Sequence, residues 1–186
     1  INMSVGEPDF MTPETIKEAG KKAIDDNFSK YSPVPGYPAL RNAISKKLKA
    51  ENGLAYAASE IIVGTGGKQG VCNAIMALVN PGDEVIIPAP YWVSYPQMVK
   101  LAGGNPVIIS AGIEQDFKIT AAQLEASITP KTKMIILCSP SNPTGSVYTK
   151  AELDELAKVV TSHEDVFVLS DEIYEHINYI GKHASI

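Results

Sequence analysis

Four short segments of this sequence carry side chains that could do chemistry, and each follows an apolar run. Gly64-Thr65-Gly66-Gly67-Lys68-Gln69-Gly70 follows Ile61-Ile62-Val63. Glycines at a strand-to-helix junction let backbone N–H groups converge on an anion at the helix N-terminus. The spacing is not a dinucleotide fingerprint, because Gln69 stands three residues after Gly66 where a glycine belongs. Nor is it a P-loop, since Ile62 replaces the first glycine and Gln69 the Ser/Thr after the lysine. A tight turn with a helix cap would give the same composition. Ala89-Pro90-Tyr91-Trp92 follows the run EVIIP, and its indole would either stack on a flat ligand or pack into the core. Ser139-Pro140-Ser141-Asn142-Pro143-Thr144-Gly145 follows MIILC; it reads as a turn, with Asn142 offering an amide donor. Asp171-Glu172-Ile173-Tyr174 follows VFVLS and brings a carboxylate and a phenol, although Asp171 would serve equally as a helix N-cap.

These segments need elements to hold them. Thr12 as N-cap with Pro13 at the first helical position predicts a helix carried by Ile16, Ala19, Ala23 and Ile24 to about Asp26. A loop rich in Pro, Ser and Gly follows over residues 27–37. Pro38 opens a second helix with Leu40, Ala43, Ile44 and Leu48 on one face and Gly53 beyond its end. The pattern then alternates strand and helix. Strands are predicted at 61–63, 84–88, 106–110, 134–138 and 166–169, and helices at 68–79 and 91–101. Thr120 with Gln123, and Thr149 with Glu152, form two capping boxes that open further helices. Apolar strands separated by helices argue for an α/β fold with a mainly parallel sheet covered on both faces. In such sheets ligands bind beyond the carboxyl ends of the strands, where all four segments lie.

Composition narrows the choice. Hydrophobic residues make up 45% of the 186, charged residues 20%, and the formal net charge is −5. That balance is globular and argues against a general nucleic-acid binder, which needs a basic surface. No apolar run approaches the ~20 residues of a membrane span, and the first residues have neither the basic nor the apolar region of a signal peptide. Cys72 and Cys138 sit in apolar runs and read as buried, reduced thiols of a cytoplasmic protein, with a disulfide or a metal pair as the alternative reading. No metal site is assigned, and His163, His176 and His183 carry no motif. The first residue is Ile1 and no closing helix follows the last strand, so a piece of a longer protein is expected.

Together the four segments place an anion cradle, a stacking ring, an amide donor, a carboxylate and a phenol at one sheet edge. That set suits a flat, cationic heteroaromatic carrying a phosphate, and pyridoxal 5'-phosphate matches each part. The sequence resembles the class I aspartate aminotransferases, members of fold-type I of the pyridoxal-phosphate enzymes. The resemblance rests on SVGEPDF (4–10), KYSPVPGYPALR (30–41), GGKQ (66–69), PGDEVIIPAPYWVSYPQMV (81–99), SPSNPTGSVY (139–148) and SDEIYEH (170–176), in family order along the whole chain.

The resemblance implies a role for each matching residue. Asp171 pairs with the ring nitrogen, Tyr174 and Asn142 hydrogen-bond the 3′ oxygen, and Trp92 stacks on the ring. Gly67 and Lys68 cradle the phosphate with backbone N–H groups. Tyr31 reaches the cofactor of the neighbouring subunit in a homodimer. Gly6, Trp92 and Asn142 would touch the substrate, and Lys68 would also meet a distal carboxylate. Residues 1–30 would be an N-terminal arm and small-domain segment, and residues 31–186 the first half of the cofactor domain. The activity implied is amino transfer from an L-amino acid, aspartate foremost, to 2-oxoglutarate. The family's cofactor-binding lysine, in an S-x-x-K motif, and its phosphate- and carboxylate-binding arginines have no match in residues 1–186, so these residues alone are expected to be inactive. The competing readings are a lyase or synthase on the same fold, a non-catalytic ligand sensor, and an ATPase. The last would use the apolar strand before Asp171-Glu172, but the chain has no Walker A loop.

Overall fold

The computed structural model describes residues 10–186. Its centre is a four-stranded, wholly parallel sheet in the order β2-β1-β3-β4. The strands are β1 (Glu84–Ala89), β2 (Asn105–Ser110), β3 (Thr132–Cys138) and β4 (Phe167–Asp171). The helices, in chain order, are α1 (Glu14–Asp25), α2 (Pro38–Lys47), α3 (Gly67–Leu78), α4 (Tyr95–Leu101), α5 (Ala121–Ser127) and α6 (Lys150–Thr161).

The period-2 alternation of strand side chains sorts the core into two layers. Val85 and Ile87 of β1, with Met134 and Ile136 of β3, pack under α3 and α4 against Val71, Ile75 and Val99. Ile86, Ile135 and Leu137 face the other way, onto Leu124 of α5 and Leu153, Leu156 and Val160 of α6. Both faces are therefore covered, which is why these strands are apolar at successive positions. The two capping boxes form as predicted. Thr120 Oγ1 accepts from Gln123 N at 3.2 Å and Thr149 Oγ1 from Glu152 N at 3.3 Å, and each N3 side chain returns a bond to the cap backbone.

Strand order reverses direction between β1 and β3. The chain leaves β1 toward β2 on one side, then crosses back to β3 and on to β4. Loops after β1 and β3 therefore diverge at their carboxyl ends and open a crevice between them.

Several expected elements differ. Residues 61–63 are not a strand of this sheet: Val63 N donates to Pro35 O at 3.0 Å, and no ladder partner lies beside them among the described residues. A strand needs a neighbouring ladder, and local apolarity does not supply one. The helix expected from Tyr91 starts at Tyr95, since Pro96 is tolerated only in a first turn, and residues 91–94 form the loop after β1. α1 begins at Glu14 with Pro13 at its cap position and no side-chain cap from Thr12. α2 runs on through a π-helical turn, Leu48–Asn52, and closes at Gly53 in the left-handed region. Cys72 and Cys138 are free thiols, as expected, but only half-buried.

Candidate active site

The crevice holds a cleft of about 720 Å³, lined by α3, by the loops after β1 and β3, and by the segment after β4. Each wall follows from the sequence beneath it. Gly66 caps α3 at φ +85°, a backbone conformation that a side chain resists, and carries no side-chain cap. The first-turn N–H groups of Gly67 and Lys68 thus have no intrahelical acceptor. A Cβ on Gly66 would meet nothing within 4 Å, so the approach to this helix end is open.

On the opposite wall the β3–β4 register sets Asp171 beside Cys138 and thereby next to the loop that carries Asn142. The Asp171 carboxylate is held on both oxygens. Oδ2 accepts from the Tyr95 hydroxyl at 2.7 Å, and Oδ1 from the Ile173 N–H at 3.2 Å. Trp92 stands edge-to-face on Tyr95, with ring centroids 5.3 Å apart and planes at 89°. Lys68 Nζ lies 4.9 Å from the centre of the Trp92 ring, a cation–π contact. Burial first, then the neighbouring Cys138 and Asp171, push the Tyr95 phenol far above its ordinary range. Burial likewise raises the Cys138 thiol, which leaves it a poor nucleophile.

Six of the eight residues expected at the site line this one cleft: Gly67, Lys68, Trp92, Asn142, Asp171 and Tyr174. Tyr31 does not; its side chain is fully exposed on the loop before α2. Gly6 lies outside the described residues. Tyr95 was missed, because a tyrosine inside an apolar helical stretch reads as core. Its one signal was the Trp92-x-x-Tyr95 spacing just after a strand.

The segment after β4 is tied down from behind. Glu172 Oε2 lies 2.7 Å from His183 Nε2 and accepts from Ser185 Oγ at 2.6 Å. Glu175 pairs with Lys47 and accepts from Asn52 Nδ2 at 2.9 Å. Asp171 and Tyr174 face the cleft while Glu172 and Glu175 reach the opposite side. His183 is thus an anchor of this segment, a role its sequence context did not signal. Burial alone would raise the Glu175 carboxyl, but hydrogen bonds from Lys47 and Asn52 outweigh it and hold it below its usual value. A depressed carboxyl stabilises the fold above its unfolded pKa and loses that contribution as pH falls through the folded value. Lys47→Met in the full-length protein should therefore unfold at lower temperature than wild type at pH 7, with the gap closing as pH falls below the ordinary glutamate range. A gap independent of pH would contradict this pairing.

The sequence matches the family model described as aminotransferase class I and II over residues 1–185. The chain belongs to that family. Among curated relatives of this aminotransferase-family chain, the aspartate/prephenate aminotransferase of Cereibacter sphaeroides is 57% identical over 177 residues, covering 95% of this chain and 44% of the relative. The bifunctional aspartate aminotransferase and glutamate/aspartate-prephenate aminotransferase of Petunia hybrida is 51% identical, covering 96% and 37%. The crystal structure of the aspartate aminotransferase from Rhizobium meliloti superposes with a TM-score of 0.96 at 47% identity, over 98% of this chain and 46% of that one. The aminotransferase-family chain thus spans about half the length, or less, of the relatives it matches. The parallel α/β fold with both faces covered is that of the aspartate aminotransferases.

Proposed function

We propose that the full-length protein is a pyridoxal-phosphate-dependent aminotransferase that takes the amino group of aspartate and passes it to a 2-oxo acid. The observation that carries this reading is the opposition, across one cleft, of an uncapped glycine-rich helix N-terminus and a doubly held carboxylate. A phosphate suits the first and a protonated ring nitrogen the second, so the residues present fit the cofactor. When bound, pyridoxal phosphate supplies a ring that accepts the electron pair released as the substrate Cα–H bond breaks, and a carbon that carries the amino group between half-reactions.

The chain's own residues do the rest. The N–H groups of Gly67 and Lys68 donate to the phosphate. Asp171, as a carboxylate, would accept a hydrogen bond from the protonated ring nitrogen. Tyr174 and Asn142 donate to the 3′ oxygen, and Trp92 closes one face against water. Gly6 and Asn142 border the substrate, and the Lys68 ammonium is within the cleft to receive its distal carboxylate. Tyr31, exposed and away from this chain's cleft, serves the neighbouring site of a homodimer. Residues 1–30 form the arm and small-domain segment, and residues 31–186 the first half of the cofactor domain. The protein works in the cytoplasm; no helix among the described residues is long and apolar enough to cross a membrane.

The relatives' names favour amino transfer over the lyase, sensor and ATPase readings, and they add prephenate to 2-oxoglutarate as an acceptor to assay. The test is steady-state kinetics of the full-length protein with aspartate and each acceptor in turn. Double-reciprocal plots that stay parallel as the acceptor is varied support the proposal, because the first product, the donor's 2-oxo acid, must leave the enzyme before the acceptor binds. Elimination without an acceptor, or no turnover with pyridoxal phosphate bound, would overturn it.

A further inference from the structure

One buried polar side chain at the cleft remains without a part in this scheme. Tyr95, the first residue of α4, is 2% exposed, yet its hydroxyl reaches out of the core to Asp171 Oδ2 at 2.7 Å. The same ring supports the edge of Trp92. We infer that Tyr95 is the positioning residue of the site, its hydroxyl pinning the Asp171 carboxylate and its ring carrying Trp92. One side chain thereby sets both the carboxylate and the stacking plane.

Three observations support the assignment. First, a carboxylate has about four acceptor positions, and Tyr95 and the Ile173 N–H occupy one on each oxygen. Both oxygens are thus fixed in direction while lone pairs remain for a ligand. Second, α4 is short and buried along Tyr95, Pro96, Met98 and Val99, so the phenol has no freedom to follow a moving carboxylate. Third, burial and the adjoining Asp171 keep the phenol protonated across the working pH range, so it stays a donor throughout. Asp171 alone would rotate about its side-chain torsions at the end of β4; with Tyr95 it is preorganised.

The inference rests on the cofactor reading above, and the experiment separates the two. Pyridoxal phosphate affinity of the full-length apoprotein, and kcat and KM of the holoprotein, are measured for wild type, for Tyr95→Phe, and with p-aminophenylalanine placed at position 95. Phe keeps the ring under Trp92 and removes only the donor. A hydrogen bond to a charged group is worth roughly 1.5–3 kcal/mol, which converts to about 10–150-fold. Tyr95→Phe is therefore expected to weaken pyridoxal phosphate binding by at least about tenfold. It should lower kcat while leaving the KM for aspartate within about twofold, because the substrate contacts remain. The p-aminophenylalanine variant restores an N–H donor and should recover most of the affinity. Wild-type affinity and kcat in Tyr95→Phe would overturn the assignment, as would loss of affinity in a folded p-aminophenylalanine variant. The latter comparison decides the matter should Tyr95→Phe not fold. Failure of the wild-type apoprotein to bind pyridoxal phosphate would instead overturn the proposed function.

Discussion

Asp171→Ala in the full-length protein is expected to weaken pyridoxal phosphate binding and to reduce amino transfer by roughly 10²–10⁴-fold, the equivalent of about 3–5 kcal/mol for one half of a buried charge pair removed. The size follows from where Asp171 sits. It ends β4, its backbone carbonyl accepts from Ser139 N at 3.2 Å, and its side chain is held by Tyr95 and Ile173. Alanine leaves the strand intact but removes the only carboxylate that lines the cleft among the described residues. The ring nitrogen of the bound cofactor would then lack its counter-charge, and both binding and the stabilisation of charge during Cα–H cleavage would suffer. Equilibrium binding to the apoprotein and single-turnover kinetics measure the two losses separately. Near-normal values in either would remove Asp171 from its assigned role.

The second large effect is on stability. Ile135 is fully buried at the centre of β3, between β1 and β4, and packs with Ile86 and Leu137 onto α5 and α6. Ile135→Ala should destabilise the full-length protein by about 2–5 kcal/mol, combining lost transfer energy with the cavity left in a sheet whose neighbours cannot close on it. Because β3 carries Asn142 in its following loop and fixes Asp171 through register, the loss at the sheet should also loosen the cleft. Urea unfolding followed by circular dichroism reads the first effect, and pyridoxal phosphate affinity the second. A change in stability below about 0.5 kcal/mol, ordinary for a surface substitution, would mean that the layer assigned around Ile135 is wrong.

What could be read from residues alone depended on how local the determinants were. Apolar runs placed the ends of β1 to β4 to within two residues, because the central strands β1 and β3 are buried on both faces and the outer two carry short apolar runs beside them. Both capping boxes formed, since a Thr and a Gln or Glu three residues on satisfy each other within one turn. Residues 61–63 failed for the opposite reason. A strand is defined by its ladder, and Ile61-Ile62-Val63 carries no information on what lies beside it. The start of α4 was misplaced by four residues, because Tyr91 and Trp92 look helical until the limit set by Pro96 is taken into account.

The site shows the same division. A glycine, an Asn-Pro turn and a strand-terminal Asp announce themselves by position, and Gly67, Asn142 and Asp171 meet at one cleft with Lys68, Trp92 and Tyr174 beside them. Tyr95 and His183 act across 76 and 11 residues of sequence respectively, on Asp171 and Glu172. The Trp92-x-x-Tyr95 spacing sets Tyr95 near the indole but does not name Asp171 as its partner, and nothing local marks His183, so the fold reveals both contacts.

In the proposed function, this cleft holds pyridoxal phosphate in a working aminotransferase. Borohydride reduction of the native full-length protein, followed by peptide mass spectrometry, tests it most directly, since reduction locks the cofactor onto the lysine that binds it. The S-x-x-K lysine expected of the family has no match in residues 1–186. A single pyridoxyl-lysine is therefore expected on a peptide outside these residues, with Lys68 unmodified. A native protein with no pyridoxyl adduct, or with the adduct on Lys68 itself, would contradict it.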